Sequence, residues 1–207
     1  MTRITLALTS AIRQYDGNRW ESRWYEVYNE VLICAWDVRA DLTIAPQFEL
    51  HKMLADGNGV MNVVKRVTPD FTVFRYDHSI REGKLLVKEK CPILVCEGKK
   101  GDRTDMSALD EQCIEQVSYA FESRDSDGVV HILKWVGTKW WTHSVKRSES
   151  RRLSNNVDAT YLDKKAGRHG TSGSGSALKL RVISSGEVSV SHESINELVN
   201  AIRRLRI

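Results

Sequence analysis

Ile93–Gly101 reads ILVCEGKKG. An apolar run passes directly into a carboxylate, a glycine and a lysine. Opened by Pro92 and rich in branched side chains, the run predicts a buried strand. Side chains alternate across a strand, so Ile93, Val95, Glu97 and Lys99 share one face. Leu94, Cys96 and Gly98 share the other. Glu97 and Lys99 are then neighbours at the strand exit. The glycine between them lets the backbone bend or be closely approached.

Upstream, residues 61–76 (MNVVKRVTPDFTVFRY) are rich in Val, Phe and Thr and predict another strand. Pro69 lacks an N–H and implies an edge or a bulge there. Asp70 follows it. If this strand and the 92–99 strand pair as antiparallel neighbours, Asp70 lies opposite Glu97. The charged stretch 77–91 connects them, with an extra short strand at Lys84–Val87.

Downstream, Asp105–Ser123 (DMSALDEQCIEQVSYAFES) has the helical stripe Met106, Leu109, Cys113, Val117, Ala120 and Phe121. Asp105 or Ser107 caps it. The runs VVHILKWV and KWWTHSVKR flank Gly137–Thr138 and predict a hairpin. On the N-terminal side, Asn18–Asp37 is helical, with Trp20, Trp24, Val27, Tyr28, Val31, Leu32 and Ala35 on one stripe. Glu21 lies at the edge of that stripe, with Glu26 and Glu30 further round. Residues 45–59 suggest a short helix opened by Pro46 and closed by an Asp-Gly-Asn-Gly turn.

Residues 148–176 are polar and Gly/Ser-rich, the composition of a flexible loop. A strand at 177–184, a turn at Gly186 and a helix over 193–205 end the chain. The order is helix, strand, strand, helix, strand, strand, loop, strand, helix. It predicts an α/β fold, a mixed central sheet flanked by helices. The expectation is a single domain over 1–207, with a core at 18–147 and the terminal strand and helix at 177–207.

The formal charge of +4 is compatible with a nucleic-acid partner without demanding one. Cys34, Cys91, Cys96 and Cys113 show no C-x-x-C spacing and read as reduced, structural residues. The N-terminal apolar run is too short for a signal-peptide core, and no run has the length of a membrane span. The expectation is an intracellular protein with no membrane partner, nucleus and cytoplasm both open. A P-loop, a dinucleotide fingerprint and a G-x-S-x-G elbow are missing. The histidines have no H-E-x-x-H spacing.

Two carboxylates facing one gap suit a hard cation such as Mg²⁺ or Mn²⁺, which takes one or two carboxylates and keeps waters. Such an ion lowers the pKa of a bound water and stabilises charge on a phosphoryl oxygen. A lysine beside it can orient that water or stabilise the transition state. Asp70, Glu97 and Lys99 are therefore the parts needed for metal-dependent phosphodiester hydrolysis.

At these residues the chain resembles the PD-(D/E)xK nuclease superfamily, which has the restriction-endonuclease-like fold. Pro69–Asp70 matches its PD, and Glu97–Gly98–Lys99 its ExK. The resemblance covers about 18–147 and extends in general character to short single-domain fungal members. It implies a divalent-metal nuclease acting on DNA or RNA, with Asp70 and Glu97 as metal ligands and Lys99 as catalytic lysine. The family often adds a first-helix acid, for which Glu21 and Glu30 both stand. Its next helix often turns a Gln or Tyr to the site, and here Gln116 and Tyr119 are candidates. Many members are dimers, so the resemblance allows a homodimer.

Blander readings stand beside these. A strand end fraying into solvent also carries Glu97 and Lys99, and Asp70 also suits a turn after Pro69. A catalytically inactive nucleic-acid- or protein-binding module on the same fold would keep the same pattern.

Overall fold

A computed structural model describes residues 3–15, 22–36, 41–55, 58, 60–99, 101, 105–122, 128–150 and 180–205. The helices are α1 (Arg3–Tyr15), α2 (Ser22–Trp36), α3 (Met106–Glu122) and α4 (His192–Arg203). The strands are β1 (Leu42–Pro46), β2 (Leu50–Ala55), β3 (Met61–Val67), β4 (Phe71–Arg81), β5 (Lys84–Lys99), β6 (Val129–Val136), β7 (Lys139–Lys146) and β8 (Val182–Glu187). The fold is mixed α/β, with a central mixed sheet of six strands in the order β1-β4-β5-β6-β7-β8. Among the described residues β5 and β6 are the one parallel pair, and α3 lies between them in the chain.

Period-two alternation sorts the core into two layers. Leu94 and Cys96 of β5 join Leu133 and Trp135 of β6 on one face, under Leu8, Trp24, Tyr28, Leu32, Leu198 and Ile202 of α1, α2 and α4. On the other face Val95 and Ile132 meet Leu109, Cys113 and Val117 of α3, with Leu50 of β2. The predicted split of β5 holds from Leu94 onward. Ile93 instead packs with Leu94 and Cys96, because a register shift between Val73 and Phe74 sets Leu94 and Pro92 against successive β4 residues.

Helices α2 and α3 and the β6–β7 hairpin lie where periodicity puts them. Helix α1 was not anticipated; it buries Ile4, Leu8 and Ala11, at helical spacing, against the same core. The expected helix opened by Pro46 is instead the end of β1 and then β2. Gln47 takes a left-handed φ of 46° and breaks the chain between them. Strand β2 pairs with β3 beside α3, where Leu50 is buried, so tertiary pairing overrides a weak local preference.

The expected single strand over 61–76 is two strands in two sheets. Pro69 marks the break, since it cannot donate to a ladder. The connection at 77–91 is likewise strand. β4 continues to Arg81, turns through Glu82 and Gly83 at φ 52° and 73°, and returns as β5. Gly186 is not a turn but lies within β8. A Cβ there would meet the Trp140 indole at 2.7 Å, which is why the position is a glycine.

The terminal helix α4 is capped by Ser191, whose side chain accepts from the Ser194 N–H. Its Arg203 donates to the carbonyls of Cys34 and Ala35, satisfying the end of α2. Residues 147–150 begin with a helical turn, and the remainder of the expected loop lies outside the described residues. Cys91, Cys96 and Cys113 are buried, Cys34 is half-buried, and none of the four is in a disulfide. Among the described residues no helix is long and apolar enough to cross a membrane.

Candidate functional site

The β4–β5 ladder runs Phe71↔Cys96 and Thr72↔Val95. One step further it sets Asp70 against Glu97, the antiparallel juxtaposition expected from sequence. The Asp70 backbone is held by a bond from the Gln47 N–H to its carbonyl, 2.9 Å. Its carboxylate accepts from two directions. The Gly98 N–H donates to Oδ2 at 2.7 Å, and the Tyr25 hydroxyl of α2 donates to Oδ1 at 2.8 Å. Tyr25 is itself placed edge-on against Phe71, with ring centroids 5.9 Å apart.

Glu97 is only 2% exposed, and side-chain donors meet both of its oxygens. Lys99 Nζ donates to Oε1 at 2.8 Å, and Gln112 Nε2 donates to the same oxygen at 2.7 Å. Gln116 Nε2 donates to Oε2 at 2.7 Å. The Gln116 Oε1 is buried without a hydrogen-bond partner. Two glutamines one helical turn apart on α3 thus grip the carboxylate that β5 delivers. Lys99, 36% exposed, is the solvent-facing member of the group.

Burial first, and the neighbouring Glu97 carboxylate second, push the Asp70 carboxyl up to about 6. Tyr25, Gly98 and Lys99 oppose that rise only in part. The two carboxylates share one ammonium, that of Lys99, which sits on Glu97 Oε1. Burial drives the Cys96 thiol well above its usual range, with Asp70 adding to the effect, so Cys96 stays protonated.

The raised Asp70 carboxyl makes stability pH-dependent with a definite sign. The folded chain holds this proton more tightly than the unfolded one, so stability falls as the pH climbs from 3.8 to about 6. The loss is about 2 kcal/mol after allowance for residual solvent contact. Asp70→Asn removes the repulsion and keeps the geometry. In the variant the amide oxygen would accept from Gly98 N–H, and Nδ2 would donate to a rotated Tyr25 hydroxyl. Urea titrations across this pH range are expected to show Asp70→Asn more stable than wild type at neutral pH, with the slope in this window reduced.

On the next strand, Lys134 is paired in register with Glu97. It is 3% exposed and ion-paired with Asp110 of α3, so a second buried charge is neutralised one step from the site. Burial, and then this ammonium, hold His143 down at about 4. It is a neutral imidazole whose Nδ1–H donates to the Arg181 carbonyl at 3.1 Å.

Asp70, Glu97 and Lys99 are thus brought together, and Gln116 joins them. Tyr119 is buried in the apolar cluster around α3. Glu30 is buried on α2, and among the described residues no three His, Cys, Asp or Glu side chains form a group able to hold a metal ion. Glu21 lies outside the described residues. Sequence reasoning missed Gln112 and Tyr25. The i, i+4 spacing of Gln112 and Gln116 was a readable sign for the first. Nothing local distinguishes Tyr25 from the other aromatics of α2.

No protein-family model matches the chain, and no curated protein matches it.

Proposed function

We propose that the chain is a divalent-metal-dependent nuclease of restriction-endonuclease-like fold that hydrolyses phosphodiester bonds of DNA or RNA. The observation that carries this reading is the meeting of Asp70 and Glu97 across β4 and β5, with Lys99 on Glu97 at the solvent side. Mg²⁺ and Mn²⁺ fit this donor set, because such ions are held by one or two carboxylates together with waters and substrate oxygens rather than by a full protein cage. Mutual repulsion of the two carboxylates is the charge deficit that an ion would relieve.

When bound, the ion supplies a water of lowered pKa and stabilises charge on the phosphoryl oxygens. The protein's own residues do the rest. Gly98 N–H and Tyr25 fix the Asp70 carboxylate, while Gln112 and Gln116 fix Glu97. Lys99, the most exposed of the three, has its ammonium on Glu97 Oε1. There it can hold the attacking water and stabilise the anionic transition state.

Thermal unfolding with added Mg²⁺ or Mn²⁺ tests the metal half of the proposal. At ion concentrations about a hundredfold above Kd, the wild-type midpoint is expected to rise by about 5 °C or more. Asp70→Asn should show no such rise. A cleavage screen on labelled DNA and RNA then tests the chemistry. The prior engagement of both Glu97 oxygens by side-chain donors favours one rival, an inactive nucleic-acid-binding module on the same scaffold. Nucleic-acid binding with no cleavage under either ion would establish the rival.

A further inference from the structure

Strand β1 pairs β4 only as far as Arg75, and β6 pairs β5 only from Leu94. Among the described residues, 77–90 therefore form a two-stranded ribbon with both edges open. An isolated ribbon of this kind is marginal in water. Its apolar side chains are nevertheless uncovered: Ile80 is 72% exposed, Leu85 64% and Val87 56%. The ladder pairs His78↔Val87 and Ile80↔Leu85, so these apolar residues share one face.

The opposite face carries an unusual charge arrangement. Asp77 stands directly across from Glu89, and Arg81 directly across from Lys84. Like charges opposite each other destabilise a sheet. Each ribbon thus holds an acidic pair near its base and a basic pair near its tip. Neither is compensated within its own row.

We infer that this ribbon is the interface at which two copies of the chain associate, through antiparallel pairing of β4 with β4 about a two-fold axis beside Ser79. The backbone permits this register. The Tyr76 N–H points away from β5, to the Asp41 carbonyl at 2.8 Å. By alternation, the N–H and C=O of His78 and Ile80 face the same open side. Pairing Ser79 with Ser79 of the second copy sets His78 against Ile80 of that copy, and the reverse.

The same register sets Asp77 against Arg81 of the second copy. A row then reads Glu89, Asp77, and Arg81 and Lys84 of the second copy, so the acidic pair meets the basic pair. The two-fold repeats the match. On the other face the Ile80, Leu85 and Val87 clusters of the two copies come side by side. Alternation of Asp77, Glu82 and Glu89 with Arg81, Lys84 and Lys88 gives the ribbon no uniform cationic surface. This favours a second copy over a polyanion as its occupant.

Sedimentation velocity on the full chain, over a wide range of concentration, tests the inference. Wild type is expected to show a concentration-dependent dimer. Asp77→Arg and Arg81→Asp should each raise the dimer dissociation constant at least about tenfold, because each sets like charges together on both sides of the axis. An equal mixture of the two variants should recover association, since Asp77→Arg then faces Arg81→Asp. That recovery also shows that both variants are folded. Wild type that stays monomeric throughout, single variants that associate like wild type, or a mixture no heavier than its components would each overturn the inference.

Discussion

Gly98→Ala is expected to lower the free energy of unfolding by about 3 kcal/mol or more, read as a fall in denaturant midpoint at unchanged slope. A Cβ at residue 98 would lie 2.0 Å from the Trp135 indole, far inside contact distance. The indole has little freedom to yield. It is fully buried and stacks on Tyr28 at 4.0 Å between centroids, with Phe71 at 6.3 Å on another side. Relief must come from the β5 backbone moving off β6, which costs ladder bonds and core contacts together. The same movement would carry the Gly98 N–H away from Asp70. The variant should therefore lose stability and site geometry at once, and Trp135→Leu, which vacates the space, should restore part of the stability in the double variant. A Gly98→Ala chain as stable as wild type would mean that β5 and β6 do not pack at this register.

On the nuclease reading proposed above, Lys99→Ala is expected to lower the turnover of phosphodiester cleavage by about a hundredfold to a thousandfold, with little change in KM. A group that acts on charge formed only in the transition state changes turnover rather than ground-state binding. The substitution should leave folding nearly intact, because the Lys99 side chain is 36% exposed and its partner Glu97 keeps Gln112 and Gln116. Single-turnover cleavage separates the chemical step from product release, and urea unfolding confirms the fold. Lys99→Arg, which keeps charge but not shape, should recover only part of the rate. Equal turnover in Lys99→Ala and wild type would remove the lysine from the chemistry and with it the proposed mechanism.

Both expectations trace to the same strand, which was legible as sequence. An apolar run ending in Glu-Gly-Lys fixes which side chains share a face, since a strand has period two whatever it pairs with. The stripes of α2 and α3 and the Gly137 hairpin were readable on the same local grounds. The antiparallel meeting of Asp70 with Glu97 could be stated only conditionally. Its condition is the pairing of β4 with β5, a long-range fact.

Other features had no local signature strong enough to read. Residues 45–55 carry a spacing that suits helix or strand, and the open partner β3 beside α3 decided for strand. Gly186 has the local appearance of a turn, and only the indole of Trp140 across the ladder gives its reason. Tyr25 belongs to a different element from Asp70, and their hydrogen bond exists because α2 crosses the sheet there. Periodicity is local: which residues alternate, which form stripes and where glycine breaks a run are all written in the chain. Tertiary structure alone decided which of those faces meet. A pairing energy depends on both surfaces, and one segment's pattern contains only half of it.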